Sequence, residues 1–190
     1  MGHLSVPRVS GATTLVVVLA LVSGCGFQRG PESDAQQAND ALNAGLKAQT
    51  KARTQEAVDD YKKCLAHDPA NKFCRYNLGV IDQSAGRTAS AEQDYRAALS
   101  IDPDFAPALF NLAIVRTEPS PTEAGNLYRH VISLEPANAA AHLNLGFVLK
   151  SMGREDEGNA ELQRAVHLDP KLVSRLPAGV TAISPSPSHK

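Results

Sequence analysis

The sequence predicts an all-α protein, an α-α superhelix of four stacked helix-turn-helix repeats, and three observations predict it. Pro69, Pro103, Pro136 and Pro170 follow one another at intervals of 34, 33 and 34 residues, each directly after an acidic residue. A small residue stands at the eighth place of each unit and again near the twentieth. Apolar residues inside each unit recur at helical spacing, without the strict alternation of a strand. Such self-similarity means that one unit cannot bury its apolar face alone, so neighbouring units stack into a continuous core.

Residues 1–24 read as an export signal. Arg8 lies in a short leading region without acidic residues, and an apolar run extends from Ala12 to Val22. That run falls short of the roughly 20 apolar residues that a membrane span needs. Val22-Ser23-Gly24-Cys25, preceded by Leu21, resembles the bacterial lipobox. The resemblance implies cleavage before Cys25 and acylation of its sulfur and new amino group. Two or three acyl chains hold a protein stably at a bilayer where a single short one does not. Gly26 stands where many inner-membrane lipoproteins carry Asp. The resemblance therefore places the mature chain at the outer membrane of a Gram-negative cell, and otherwise at the outer leaflet of the plasma membrane. Residues 25–37 are polar, with Gly30, Pro31, Glu32, Ser33 and Asp34, and read as a flexible spacer.

The repeats cover 38–71, 72–105, 106–138 and 139–172. Gly45 with Ala57, Gly79 with Ala91, Ala113 with Ala124 and Gly146 with Gly158 mark where the two helices of each hairpin cross closely. Leu78, Leu112 and Leu145 on the first helices fill the space around the crossings, as do Tyr61, Tyr95, Tyr128 and Leu162 on the second. Asp68, Asp102, Glu135 and Asp169 mark the ends of the second helices, because proline expels its predecessor from the helical region. Ala41, Ala44 and Ala48 make the first helix the weakest of the array. In repeat three, Ser120-Pro121-Thr122-Glu123 reads as an N-cap and capping box. Asp82 and Arg116 occupy equivalent inward places and are positioned to pair with each other. Residues 173–190 form a short cap and a disordered tail, the tail carrying Ser184-Pro185-Ser186-Pro187-Ser188. With only Leu172, Val173 and Leu176 before Pro177, Val166 is expected to stay exposed.

Asn-Leu-Gly at 77–79 and 144–146, the tyrosines at 61, 95 and 128 and the acidic-proline turns resemble the tetratricopeptide repeat, over residues 38–172. The resemblance implies a solenoid whose first helices line a concave, peptide-binding groove. The residues it places there are Leu42 and Leu46 in repeat one, Phe73, Tyr76 and Val80 in repeat two, Phe110 and Ile114 in repeat three, and Leu143 and Phe147 in repeat four. Phe73 and Leu143 also suit a core between repeats. Asn43, Asn77, Asn111 and Asn144 form a ladder on the same side. In the family such Asn residues either clamp a ligand backbone or bond between helices, and both roles stand. Leu42 and Leu46 occupy places where relatives that hold a terminal carboxylate carry polar residues, which argues against that ligand.

Lipidation of Cys25 leaves Cys64 and Cys74, which flank the Asp68-Pro69 turn. Export permits a disulfide between them, and two buried thiols at helix contacts fit equally. Without Arg8, 18 of the 19 Lys and Arg remain against 20 Asp and Glu. No basic stripe suited to nucleic acid is present. His67, His130, His142 and His167 are scattered without metal-site spacing, Ser90, Ser133 and Ser151 have no nucleophile-elbow context, and no phosphate loop occurs, so neither an enzyme nor a cofactor is expected. The expected function is a membrane-anchored envelope scaffold that binds an apolar or extended segment of a partner protein and aids assembly or localisation of an envelope complex. The alternative is a structural lipoprotein that self-associates through its terminal repeat.

Overall fold

A computed structural model of the chain describes residues 33–176. The signal, Cys25, most of the spacer and the tail from Pro177 lie outside the described residues. Eight α-helices follow in order: α1 Asp34–Thr50, α2 Thr54–His67, α3 Lys72–Ser84, α4 Thr88–Ile101, α5 Ala106–Arg116, α6 Pro121–Leu134, α7 Ala139–Ser151 and α8 Glu155–Leu168, before a closing 3-10 turn, Pro170–Arg175. They form four antiparallel hairpins in which each helix packs on its neighbours in sequence. The first helices α3 and α5 also touch, which sets first helices side by side along one face.

The hairpins close where side chains are smallest. A Cβ placed on Gly146 would lie 2.9 Å from the Gly158 carbonyl oxygen, and one on Gly79 would lie 2.7 Å from the Tyr95 ring. Ala57, Ala91, Ala113 and Ala124 are fully buried. Tyr61, Tyr95, Tyr128 and Leu162 are buried beside these crossings, one per second helix. A buried phenol needs a partner for its hydroxyl. Tyr95 donates to Gln83 at 2.6 Å, and Tyr61 donates to Gln49 at the equivalent place of repeat one. Burial, helped by the nearby Asp60 charge, pushes the Tyr61 phenol up to about 12.

The acidic residue before each turn proline has a specific task. The side chains of Asp68, Asp102 and Asp169 each accept the backbone N–H two residues on, from Ala70, Asp104 and Lys171, all at 3.1 Å. This local bond fixes the turn that the proline starts. In repeat three the longer Glu135 accepts instead from the Asn138 side chain at 2.8 Å. Inside the hairpins, Gly86 and Gly153 adopt positive φ of 72° and 74°. Ala52 holds the same place in repeat one at φ 56°.

Five sequence expectations are corrected. Helix α1 starts at Asp34, capped by the Ser33 hydroxyl that accepts from Gln36, so residues 34–37 are helix rather than spacer. Ser120 makes no side-chain cap, and Glu123 does not complete a capping box, because Arg116 and Arg96 take its carboxylate at 2.7 and 2.6 Å. Asp82 and Arg116 do not pair: Asp82 accepts from Arg87 at 2.7 Å, and Arg116 reaches Glu92 as well as Glu123. Val166 is buried, because α8 turns its apolar side inward. The 3-10 turn adds Leu172 and Leu176 against the last core cluster, while Val173 stays 52% exposed. Leu143, expected in the groove, is wholly buried against Leu162 and Ala165 of α8, in the terminal core that Leu172 and Leu176 of the closing turn also cover.

Cys64 near the end of α2 and Cys74 near the start of α3 are joined by a disulfide across the first turn, with Cα atoms 6.5 Å apart. Both residues are fully buried.

Candidate functional site

On each first helix an apolar residue follows the crossing point. These residues are Leu46, Val80, Ile114 and Phe147. Leu46 and Ile114 are 42% and 40% exposed, while Val80 and Phe147 are half-buried. Side chains on α3, α5 and α7 line one continuous cavity of about 690 Å³ through Gln83, Ile114, Asn144 and Phe147. Three successive repeats therefore build one concavity. A second cavity of about 330 Å³ lies between repeats one and two, with Gln49, Val80 and Ser84 on its wall. A third of about 300 Å³ is lined by residues that include Tyr76, Phe110, Asn111 and Glu135.

The aromatic residues are partly committed to packing. Phe73 is 46% exposed yet meets Phe105 edge-on at 5.5 Å, and Tyr76 meets the same ring at 5.4 Å. The Lys72 ammonium lies 5.1 and 5.0 Å from the Phe73 and Phe105 centroids while pairing with Asp102. Phe110 packs edge-on against Tyr128 at 5.7 Å. Leu42 is half-buried against the core of repeats one and two.

The Asn ladder is divided in its use. Asn77 donates to the Phe73 carbonyl of its own helix at 2.8 Å. Asn111 donates to the Tyr76 hydroxyl at 3.2 Å and so ties the first helices of repeats two and three together. Burial raises the Tyr76 phenol, and the Asn111 bond opposes that rise. Asn144 borders the large cavity, and burial raises the Tyr128 phenol while Thr117 and Asn144 oppose that rise. Asn43 remains exposed.

Residues that the repeat pattern did not single out complete the large cavity. Thr117, Glu118 and Pro119 come from the short α5–α6 turn, and Arg175 comes from the closing 3-10 turn. Gln83 and Thr117 were within reach of helical periodicity, one turn beyond the crossing residue. Arg175 lies beyond the last repeat and carries no periodic signal. Cys25 lies outside the described residues.

The tetratricopeptide-repeat family model matches residues 74–105. Nothing among curated proteins matches the chain. Among solved structures, MamA from Desulfovibrio magneticus RS-1 is 21% identical and superposes with a TM-score of 0.67, covering 73% of this chain and 79% of that one. PilF of Pseudomonas aeruginosa is 22% identical at a TM-score of 0.63, covering 72% of this chain and 63% of its own. The first tetratricopeptide-repeat domain of Spaghetti (RPAP3), bound to the HSP90 peptide SRMEEVD, is 26% identical at a TM-score of 0.60, covering 65% of this chain and 99% of that one. The fold of the described residues is that of an all-helical tetratricopeptide-repeat solenoid.

Proposed function

We propose that this chain is a lipid-anchored scaffold of the bacterial cell envelope that holds an extended segment of a partner protein in its concave groove. One observation carries the reading: a cavity of about 690 Å³ is shared by three successive first helices, and the exposed Ile114 stands within it. That volume falls in the range of sites that bury several ligand side chains. The rigid stack presents this surface preformed, so little ordering cost opposes binding. The peptide-bound RPAP3 domain, which shares the fold, supports a peptide as occupant. Anchoring rests on Leu21-Val22-Ser23-Gly24-Cys25 at the end of the apolar run.

The test places a photocrosslinking residue at Ile114 or at Lys63, an exposed residue of α2 outside the groove, in intact cells. Discrete adducts from position 114 and none from position 63 are expected. Equal yields from both would remove the groove as the binding face. Fractionation of Cys25→Ser tests the anchor independently: the variant is expected in the soluble fraction, and retention in membranes would refute lipidation at that residue.

A further inference from the structure

We infer, resting on the groove reading above, that the bound segment carries charges of both signs: an acidic side chain facing Arg175, a basic one facing Glu118, and an apolar one between them on Ile114 and Phe147. Glu118 and Arg175 border the same cavity and are both exposed. Among the described residues neither makes a hydrogen bond or an ion pair, whereas Arg87, Arg96, Arg116 and Arg154 each hold a carboxylate. The rest of the wall carries no charge, only apolar side chains and neutral polar ones such as Gln83, Thr117 and Asn144. An occupant that fills the cavity out to Glu118 and Arg175 strips water from one acid and one base. That desolvation is costly unless the occupant supplies the opposite charges. A purely apolar segment would leave both unpaired, and a segment of one sign would satisfy one and repel the other. Glu118 lies in the repeat-three turn and Arg175 beyond repeat four, so the two charges also fix how the segment lies along the stack. The repeats alone do not supply this cation, which makes the closing turn part of the site rather than only its cap.

The experiment selects a phage-displayed library of random peptides on the full chain and on three variants. The wild type is expected to enrich peptides with one acidic and one basic residue flanking an apolar residue. Arg175→Glu is expected to exchange the acidic preference for a basic one, and Glu118→Lys to do the reverse. Resynthesised wild-type peptides should bind either variant about tenfold or more weakly. Both residues are exposed and unpartnered among the described residues, so unchanged circular dichroism and melting temperature are expected. Enrichment of the same charges by the wild type and Arg175→Glu, or of uncharged peptides by the wild type, overturns the inference. If such charge-blind enrichment is lost in Ile114→Asp, the groove reading survives without it. Enrichment indifferent to Ile114→Asp, or none above the bare support, removes both.

Discussion

Gly158 faces Gly146 so closely that a Cβ placed on Gly158 would stand 2.8 Å from the Gly146 carbonyl oxygen and 3.1 Å from the Lys150 backbone nitrogen. Backbone atoms of a packed helix do not yield as the tip of a side chain does. Gly158→Ala is therefore expected to push α8 off α7 and to lower stability by about 1–3 kcal/mol, as overpacking does, despite the better helix propensity of alanine. Urea unfolding measures this. An unchanged or raised midpoint would mean that the fourth hairpin tolerates a wider crossing.

Ala52 occupies the left-handed turn position that Gly86 and Gly153 hold in repeats two and four. A side chain costs about 1–2 kcal/mol there, and glycine returns part of that gain through the entropy of the unfolded chain. Ala52→Gly should stabilise the protein by about 0.5–1 kcal/mol, and Gly86→Ala should destabilise it by a similar amount. Nothing lies within 4 Å of a Cβ on Gly86, so the conformational term acts there without a clash. Thermal melts in which both changes shift the midpoint in the same direction would contradict the assignment.

The architecture was legible because it depends on period and size. Prolines at intervals of 34, 33 and 34 residues, small residues at each crossing and a bulky one beside it are all visible in one dimension. What failed depends on how deeply a neighbouring element covers a helix face and on long-range choice among partners. Glu123 looked like a capping residue because its neighbours in sequence suit a cap. Arg116 and Arg96, brought in from two other helices, offer it charged donors that a single backbone N–H does not match. Leu143 and Phe147 are one turn apart on the same face of α7 and both meet the terminal core, but the first is wholly buried there while the second is half-buried and reaches the cavity wall. Arg175 reaches the groove from outside the repeats, where no register exists to point to it.

The Cys64–Cys74 bond closes a short loop around the first inter-repeat turn, with a sequence separation of 10. Loop-closure reasoning gives such a link about 2–3 kcal/mol. Reduction should lower the urea midpoint accordingly, and Cys64→Ser with Cys74→Ser should reproduce the loss without reductant. Because both residues are fully buried, the native protein should resist mild reductant and release thiols only as it unfolds. Rapid release of thiols under native conditions would show that the α2–α3 junction opens locally.

Glu123 connects three helices, accepting from Arg116 on α5 and Arg96 on α4, while Glu92 on α4 engages both guanidiniums in turn. Partial burial works to raise the Glu123 carboxyl, but the donors Arg96 and Arg116 outweigh it and hold the group below its ordinary value of 4.5. A carboxyl depressed in the folded state contributes stability that is fully present above its unfolded value and is lost as pH falls through the folded one. The protein should therefore keep this contribution at neutral pH and lose it in the range below 4.5. Glu123→Gln keeps the shape but not the charge, leaving two guanidiniums to share Glu92. The variant is expected to be less stable than the wild type at pH 7, with the gap closing as the solution is acidified past the Glu123 titration. Stability curves of the two proteins that stay parallel from pH 7 to pH 3 would show that the network contributes through packing alone.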